Sequence, residues 1–189
     1  MLVAFGSNLA SASGGPVETV RRAIELLGLY NFEIDAVSAL FKTPAVPEGS
    51  GPDFVNAAAR VRFEGTPYEA LAQLRTVENL VGRSRKTRWG PRTLDLDLLA
   101  AEDCILPDRE VWAHWYGLSP ARQRQETPQE LILPHPRIQD RAFVLIPLAE
   151  VAPNWWHPVL GLTVVQMRDA LPADACAAVE RIDRNALRD

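Results

Sequence analysis

The sequence has few of the residues that mark several classes of protein. Its 189 residues include only two cysteines, Cys104 and Cys176, which excludes a disulfide framework and a site built from clustered thiolates. No apolar run approaches the length of about 20 residues that a membrane-spanning helix needs. The opening MLVAF is too short for a signal peptide and lacks the basic segment with which signal peptides begin. These absences predict a cytoplasmic protein that does not insert into a membrane.

Positively charged residues are fewer than negatively charged ones, and they are unevenly distributed along the chain. The chain has 20 Lys and Arg against 24 Asp and Glu, which gives a net charge of −4. An acidic protein of this kind is not expected to bind nucleic acid over a broad surface. A quarter of the positive charge nevertheless falls within ten residues that contain no acid: Arg83, Arg85, Lys86, Arg88 and Arg92.

The segment RWGPRTLDLDLL, residues 88–99, predicts a rigid turn followed by a strand. Pro91 has no N–H and restricts the residue before it, so the turn cannot be helical. Asp95 and Asp97 alternate with leucines, and alternate residues of a strand share a face. Their Cα atoms are expected about 6.6 Å apart. Two such carboxylates repel each other unless a cation intervenes, and hard oxygen ligands suit Mg²⁺.

Each of these two signals has an ordinary explanation when taken alone. An Asp-x-Asp pair is usually a solvated strand face, and a basic run is usually a solvated loop. Because arginine binds phosphate through paired hydrogen bonds, the two signals side by side predict a polyphosphate site with metal. A metal-dependent phosphohydrolase or nuclease, and a non-catalytic nucleotide- or RNA-binding module, remain alternatives. The first would release phosphate without an acceptor, and the second would bind without Mg²⁺.

Hydrophobic periodicity predicts one domain over residues 1–189 in which strands and helices alternate. The strands are expected over 2–5, 32–41 and 54–63, with shorter ones near 104–106 and 131–133. Capping boxes at Thr66 and Thr163 each predict the start of a helix, and the first of these helices should end at Gly82. Two more helices are expected, over 16–28 and over 137–151, where Pro147 could cause a break.

Two further places carry candidate ligands. On the predicted strand 54–63, Phe54 and Asn56 lie on the less apolar face, where they could hold a planar heterocycle; alternatively Phe54 covers a sheet edge. His135 lies between two prolines, with Arg141 a few residues on, which makes it a candidate phosphate ligand. A lone histidine is nevertheless more often structural.

Four stretches together resemble the 6-hydroxymethyl-7,8-dihydropterin pyrophosphokinases of folate biosynthesis. They are GSNL at 6–9, PDFVNA at 52–57, the segment 88–99 and the stretch 134–143, in the order found in that family. The resemblance implies an α/β three-layer sandwich of ferredoxin-like fold, with a mainly antiparallel central sheet and helices on both faces. It also implies a monomer that moves the diphosphate of ATP to the pterin hydroxymethyl group, releases AMP and uses two Mg²⁺ ions.

The resemblance further assigns residues to each ligand. The two metal ions would be held by Asp95 and Asp97, which act with Arg85, Arg92 and Arg141 in catalysis. The nucleotide would contact Glu78, Arg83, Arg85, Lys86, Trp89, Arg92, Leu98, His135 and Arg141. The pterin would contact Gly6, Thr43, Pro44, Val46, Phe54, Asn56, Trp89, Asp95 and Phe143.

The chain departs from the family pattern in several places. Phe54 stands where tyrosine is often found, which keeps a stacking ring but loses a hydroxyl. Glu130 and Ile132 stand where a basic residue and a threonine often contact the nucleotide. Residues 109–129 look like an insertion, about which the family pattern says nothing.

Overall fold

The central strand of the sheet, β4, pairs with other strands along both of its edges. The computed structural model describes residues 1–45, 49, 51–82 and 93–182. In that part of the chain six strands form one sheet in the order β5-β1-β4-β3-β6, with β2 also paired to β4, and every pairing is antiparallel. The strands are β1 (Leu2–Ser7), β2 (Phe32–Val37), β3 (Phe41–Thr43), β4 (Phe54–Phe63), β5 (Asp95–Ala100) and β6 (Glu180–Arg181).

Seven α-helices accompany the sheet in the described residues. The first two follow β1 and β4, so the chain runs β-α-β-β-α-β in the ferredoxin-like manner, with the second β position divided between β2 and β3. A single 3₁₀ turn covers Ile138–Asp140. The helices are α1 (Pro16–Leu29), α2 (Pro67–Val81), α3 (Arg109–Gly117), α4 (Pro120–Gln125), α5 (Ala142–Val151), α6 (Val164–Asp169) and α7 (Ala173–Ala177).

The two faces of the sheet bury different sets of side chains against different helices. Val3 and Phe5 of β1 point toward α1 and α2, and the alternate residues Leu2 and Ala4 point toward α5 and α6. Alternation along a strand therefore supplies two apolar layers from one sheet. The result is helix, sheet and helix in three layers, which confirms the fold class that the resemblance implied.

Helix α2 begins and ends as the sequence predicted. The Thr66 side chain accepts a hydrogen bond from the Glu69 amide (3.2 Å), and the Glu69 carboxylate accepts one from the Thr66 amide (2.7 Å). Gly82 follows the last helical residue with φ at 100°, a left-handed conformation that glycine adopts without strain. A capping box also opens α6 at Thr163, as predicted.

The single strand predicted over 32–41 is wrong, because the chain forms β2 and β3 with a break between them. At the break the Ser38 hydroxyl accepts the hydrogen bond of the Ala58 amide (3.0 Å) and donates to the Ala39 carbonyl (2.7 Å). A side chain thus replaces a backbone partner of β4. The two strands then pair with different halves of β4.

The helix predicted over 137–151 is also wrong at its start. A 3₁₀ turn comes first, and Arg141, with φ −113° and ψ 100°, separates it from α5. Pro147 lies inside α5 without ending it. The strands predicted near 104–106 and 131–133 amount to one isolated bridge between Leu106 and Leu133.

The suspected insertion at 109–129 contains two of the helices, α3 and α4. Asp108 caps α3 by accepting a hydrogen bond from the Val111 amide (2.9 Å), and Ser119 caps α4. No helix among the described residues is long and apolar enough to cross a membrane.

Replacing Thr66 with alanine should lower the free energy of unfolding by about 1 kcal/mol, because the Glu69 amide at the start of α2 loses its acceptor. Chemical denaturation would measure the difference. Thr76→Ala is the matched control, since Thr76 is exposed in the middle of the same helix and bonds only the Ala72 carbonyl there. The capping assignment is contradicted if both variants lose the same free energy of unfolding.

Candidate active site

One face of the sheet is covered by helix α5 at one end and carries polar groups at the other. At the covered end Leu2, Ala58 and Leu99 are buried against α5. Opposed residues of antiparallel strands share a face. The register pairs Gly6 with both Asn56 and Asp95. We call the residues of this polar end the site face: Gly6, Thr43, Phe54, Asn56, Asp95 and Asp97.

Gly6 lies at the middle of the site face, between the two groups of candidate ligands. A Cβ atom built on Gly6 would lie 3.4 Å from the Asn56 Oδ1, 3.9 Å from the Phe54 ring and 4.0 Å from the Asp95 Cβ. The absence of a side chain therefore keeps open the space that these three residues surround.

The β4 side of the site face presents an aromatic ring beside a fixed amide. Asn56 is buried, and its Nδ2 donates a hydrogen bond to the Thr43 hydroxyl (2.8 Å). That bond fixes the amide orientation and leaves Oδ1 directed toward Gly6. Phe54, which is half-buried, lies opposite Thr43 in the register. Phe54 and Asn56 therefore share one face of the sheet, as predicted. Pro44, the residue after Thr43, is exposed.

The β5 side presents two carboxylates, and arginine lies beside one of them. Asp95 and Asp97 are partly exposed. The Nη1 atom of Arg141 lies 3.8 Å from the Oδ2 atom of Asp97. Burial lowers the pKa of Arg141, while the negative charges of Asp97 and Asp140 raise it. Among the described residues no cluster of three or more His, Cys, Asp or Glu side chains could hold a metal ion. Two carboxylates on one face suit Mg²⁺ that takes its remaining oxygens from a phosphate and water.

Glu78 and Leu98, both expected near the nucleotide, lie at the outer edge of β5. Glu78 is buried at 1% exposure, and its Oε1 accepts the hydrogen bond of the Leu96 amide (2.9 Å). Backbone groups two residues apart point the same way, so the amide and carbonyl of Leu98 face this edge too. The side chain of Leu98 is in the core beneath α1 and α2, on the opposite face from Asp97.

His135 is held by its own segment in one orientation. Its amide donates to the Leu99 carbonyl (2.8 Å), and its Nδ1 accepts from the Arg137 amide (3.1 Å). Burial and then the charge of Arg141 lower the pKa of His135 to about 3. The ring is therefore neutral near pH 7 and carries its proton on Nε2, because Nδ1 is an acceptor. His135 can donate a hydrogen bond to phosphate but supplies no positive charge.

Phe143, in the first turn of α5, is among the more exposed large apolar side chains at 38%. The guanidinium carbon of Arg141 lies 5.8 Å from the centre of its ring. An exposed ring at this helix start is available to a ligand. The remaining predicted contacts, which are Val46, Arg83, Arg85, Lys86, Trp89 and Arg92, lie outside the described residues.

Two anchoring residues, Ser7 and Asn8, were named from the sequence only as part of the GSNL motif at 6–9. The Ser7 hydroxyl, fully buried, donates to the Thr93 carbonyl (2.6 Å), just before the strand that carries the carboxylates. The Asn8 amide donates to the Pro52 carbonyl (3.0 Å), just before Phe54. The chain before β5 is thus bonded to the last residue of β1, and the chain before β4 to the residue after it. Hydrogen bonds over such sequence separations leave no periodic signal.

Comparison with known proteins decides the family. The family model described as 7,8-dihydro-6-hydroxymethylpterin-pyrophosphokinase matches residues 2–153. The chain belongs to this pyrophosphokinase family. It is therefore an enzyme of that class, as the sequence predicted.

Individual relatives agree with the family assignment. A 2-amino-4-hydroxy-6-hydroxymethyldihydropteridine pyrophosphokinase from Synechocystis is 34% identical over 176 residues, covering 92% of this chain and 77% of the relative. The Bacillus subtilis protein of the same name is 36% identical over 151 residues, covering 79% of this chain and 75% of the relative.

Solved structures agree in fold. Wild-type Plasmodium falciparum HPPK-DHPS matches with a TM-score of 0.60 at 15% identity, covering 89% of this chain. This chain spans only 40% of the length of that one, and the likeness at this identity shows the fold alone.

Replacing Asp97 with alanine or asparagine should lower turnover at least tenfold, which corresponds to about 1.4 kcal/mol of barrier. The physical reason is the loss of one of the two carboxylates expected to hold a cation. Steady-state kinetics with a denaturation curve for each variant would measure it. Asp35→Asn is the matched control, because Asp35 is a strand carboxylate paired with Arg62 (2.9 Å) outside the site face. A variant of Asp97 that keeps most of its activity would contradict a role in metal binding.

Stability should fall on acidification through His135 and His157. Burial lowers the pKa of His157 to about 4 and that of His135 to about 3. Between these values and the usual pKa of about 6.5, the unfolded chain binds more protons than the folded one. The free energy of unfolding should therefore fall by up to about 2 kcal/mol per histidine from pH 6.5 to pH 5.

Urea denaturation across this pH range would measure the loss of stability. His135→Asn should reduce the pH dependence, whereas His114→Asn, at an exposed position, should leave it unchanged. A flat profile in the unmodified protein would contradict the neutral state of the His135 and His157 rings.

Proposed function

We propose that this chain transfers the diphosphate of ATP to the hydroxymethyl group of 6-hydroxymethyl-7,8-dihydropterin, giving AMP and the pterin diphosphate. The family supports pyrophosphokinase activity on such a pterin. One observation in the fold carries the rest: Gly6 of β1 lies between Asp95 and Asn56 in the register. In this proposal the carboxylate pair of β5 and the heterocycle pocket of β4 are separated only by strand β1, so the ligands bound at the two places are close enough to react with each other.

In this proposal Asp95 and Asp97 hold two Mg²⁺ ions that ATP brings with it. When bound, the ions would neutralise charge on the attacking and leaving oxygens of the transfer. The two carboxylates fit this use because they are partly exposed, share a face and are oxygen ligands. The 3.8 Å approach of Arg141 to Asp97 puts a fixed positive charge beside them.

The phosphates are bound by charge and by one neutral donor. Arg141 and the arginines of residues 83–92 supply the charge, and His135 donates through Nε2. Phosphoryl-type transfer depends on positioning and charge neutralisation more than on covalent catalysis. The proposed nucleotide contacts thus keep the set expected from the sequence: Glu78, Arg83, Arg85, Lys86, Trp89, Arg92, Leu98, His135 and Arg141.

The pterin lies in this proposal against Phe54, with Asn56 and Thr43 at its edge. The Asn56 Oδ1 is the acceptor for a ring N–H or amino group, since Nδ2 is already bonded to Thr43. Phe143 covers the other side of the pterin ring. Gly6 leaves the room for this ring, and the loop with Pro44 and Val46 completes the pocket.

The reaction is an in-line displacement at the β-phosphorus. The pterin hydroxyl oxygen forms a bond to that phosphorus and gives up its proton to solvent. The bond between the β-phosphorus and the α–β bridging oxygen breaks, and AMP leaves with the electron pair of that bond. Arg85 and Arg92 would hold the diphosphoryl group as one unit during the transfer. The chain's contribution is thus alignment of the hydroxyl with the β-phosphorus.

Two broader expectations remain part of the proposal. Residues 1–189 form a single domain in which 109–129 is an insertion, and the protein acts as a cytoplasmic monomer on small molecules alone. The acidic net charge of −4 supports the absence of a nucleic-acid partner. Two free cysteines, one of them exposed, are typical of a reducing compartment.

AMP should be the nucleotide product when the protein is incubated with Mg-ATP and 6-hydroxymethyl-7,8-dihydropterin. Chromatographic separation of the nucleotides tests this proposal directly. ADP as the main product would make the chain an ordinary kinase. ATP consumption at the same rate without the pterin would make it a hydrolase, the first of the alternatives left open by the sequence.

Phe54→Ala should weaken pterin binding by roughly 1–3 kcal/mol, the contribution of stacking an aromatic ring on a base of similar size, and should leave ATP binding nearly unchanged. Calorimetric titration with each ligand would measure both affinities. Phe63→Ala is the matched control, because Phe63 is at the other end of β4 and packs against the core beneath α1 and α2. Equal loss of both ligands in the Phe54 variant would contradict stacking.

A further inference from the structure

The insertion at 109–129 contributes a buried side chain, Trp112, that contacts the segment before His135. In α3 only Trp112 is buried, at 1% exposure. Its indole Nε1 donates a buried hydrogen bond of 2.6 Å to the carbonyl of Pro134. Pro134 is the residue directly before His135. A residue of the insertion thus contacts the segment that carries a proposed phosphate ligand.

The composition of that segment makes this contact important. Pro134 and Pro136 have no N–H, so residues 134–136 contain a single backbone donor, the amide of His135. That donor is used by the Leu99 carbonyl (2.8 Å). Any further backbone hydrogen bond to these three residues has to be accepted by one of their carbonyls.

Of those three carbonyls, two are bonded from within the same stretch of chain. The Ile138 amide donates to the His135 carbonyl (3.1 Å), and the Gln139 side chain donates to the Pro136 carbonyl (3.3 Å). Only the Pro134 carbonyl receives a donor from a distant element, Trp112. Among the described hydrogen bonds, Leu99 and Trp112 therefore connect residues 134–136 to the rest of the fold.

Trp112 is itself held in place on several sides. Its ring stacks on Tyr116 (5.0 Å between centres, 16° between planes) and meets the edge of the buried His157 ring at 5.3 Å. At the start of α3 the Asp108 carboxylate caps the helix, and Arg109 reaches the Pro158 carbonyl (3.4 Å). The indole N–H is consequently directed at Pro134 by a fixed framework.

We propose that Trp112 is a positioning residue, whose indole N–H fixes the Pro134 carbonyl and thereby holds His135 where it donates to the phosphates of the nucleotide. This inference rests on the proposed function, in which His135 contacts the nucleotide. It gives the insertion a role in nucleotide affinity, although no residue of α3 touches the substrate in this scheme.

A double-mutant cycle tests the coupling between the two residues. Trp112→Phe keeps an aromatic ring and removes the donor, and should weaken binding of a non-hydrolysable Mg-ATP analogue about fivefold. In a His135→Ala background the same change should have no further effect. Weakening by Trp112→Phe that is equal in both backgrounds would overturn the inference.

Trp155→Phe is the matched control, because it also removes one indole–carbonyl hydrogen bond, to Glu102 (2.9 Å), at a place not adjacent to His135. This variant should bind the analogue as tightly as the unmodified protein. If both tryptophan variants weaken binding to the same extent, the effect is a general loss of stability and the inference is overturned.

Amide hydrogen exchange separates this inference from the proposed role of His135. In Trp112→Phe the His135 amide should lose protection relative to the amides of β4, and in Trp155→Phe it should not. Unchanged protection in Trp112→Phe overturns the inference whatever the nucleotide does. If His135→Ala leaves nucleotide binding unchanged, the proposed function of His135 fails, and the exchange result alone decides whether Trp112 holds it.

Discussion

The pairing of β1 with β4 on one side and with β5 on the other is the constraint on which the site depends. This register brings Asp95 and Asn56 to either side of Gly6, although they are far apart in the sequence. A shift of one residue in either pairing would turn one set of ligands to the opposite face, into the apolar layer beneath α1 and α2. The two apolar layers, one on each face of the sheet, oppose such a shift, because each is formed by one set of alternate strand residues. The same strand register therefore determines both the packing of the sheet and the geometry of the site.

A second theme is that buried polar groups in this enzyme are fixed by partners from other elements. The Ser7 side chain bonds the chain just before β5, and the Asn8 side chain bonds the chain just before β4. The Glu78 carboxylate accepts the hydrogen bond of the Leu96 amide at the outer edge of β5. His135 lies between two prolines, and the carbonyl of the first, Pro134, accepts a hydrogen bond from the Trp112 indole. An active site that depends on alignment needs such fixed side chains, because each lost degree of freedom improves the positioning of reacting groups.

Much of this arrangement could be predicted from the sequence, for reasons that differ from place to place. Alternation in residues 94–99 and capping at Thr66 are local signals, so the carboxylate strand and α2 followed directly. The break at Ser38 depends on a hydroxyl replacing a backbone partner of β4, and the late start of α5 depends on the conformation of Arg141. Neither leaves a periodic pattern. The hydrogen bond of Trp112 could not be predicted, because its partner, Pro134, lies in a different part of the chain.

The central claim is that metal-bound triphosphate occupies the carboxylate side of the site face before the pterin reacts. Isothermal titration of the protein with a non-hydrolysable ATP analogue, with and without Mg²⁺, tests this most directly. Strong binding is expected with Mg²⁺ and much weaker binding without it, and replacing both Asp95 and Asp97 with asparagine should remove the difference. Equal affinity with and without Mg²⁺ in the unmodified protein would contradict it.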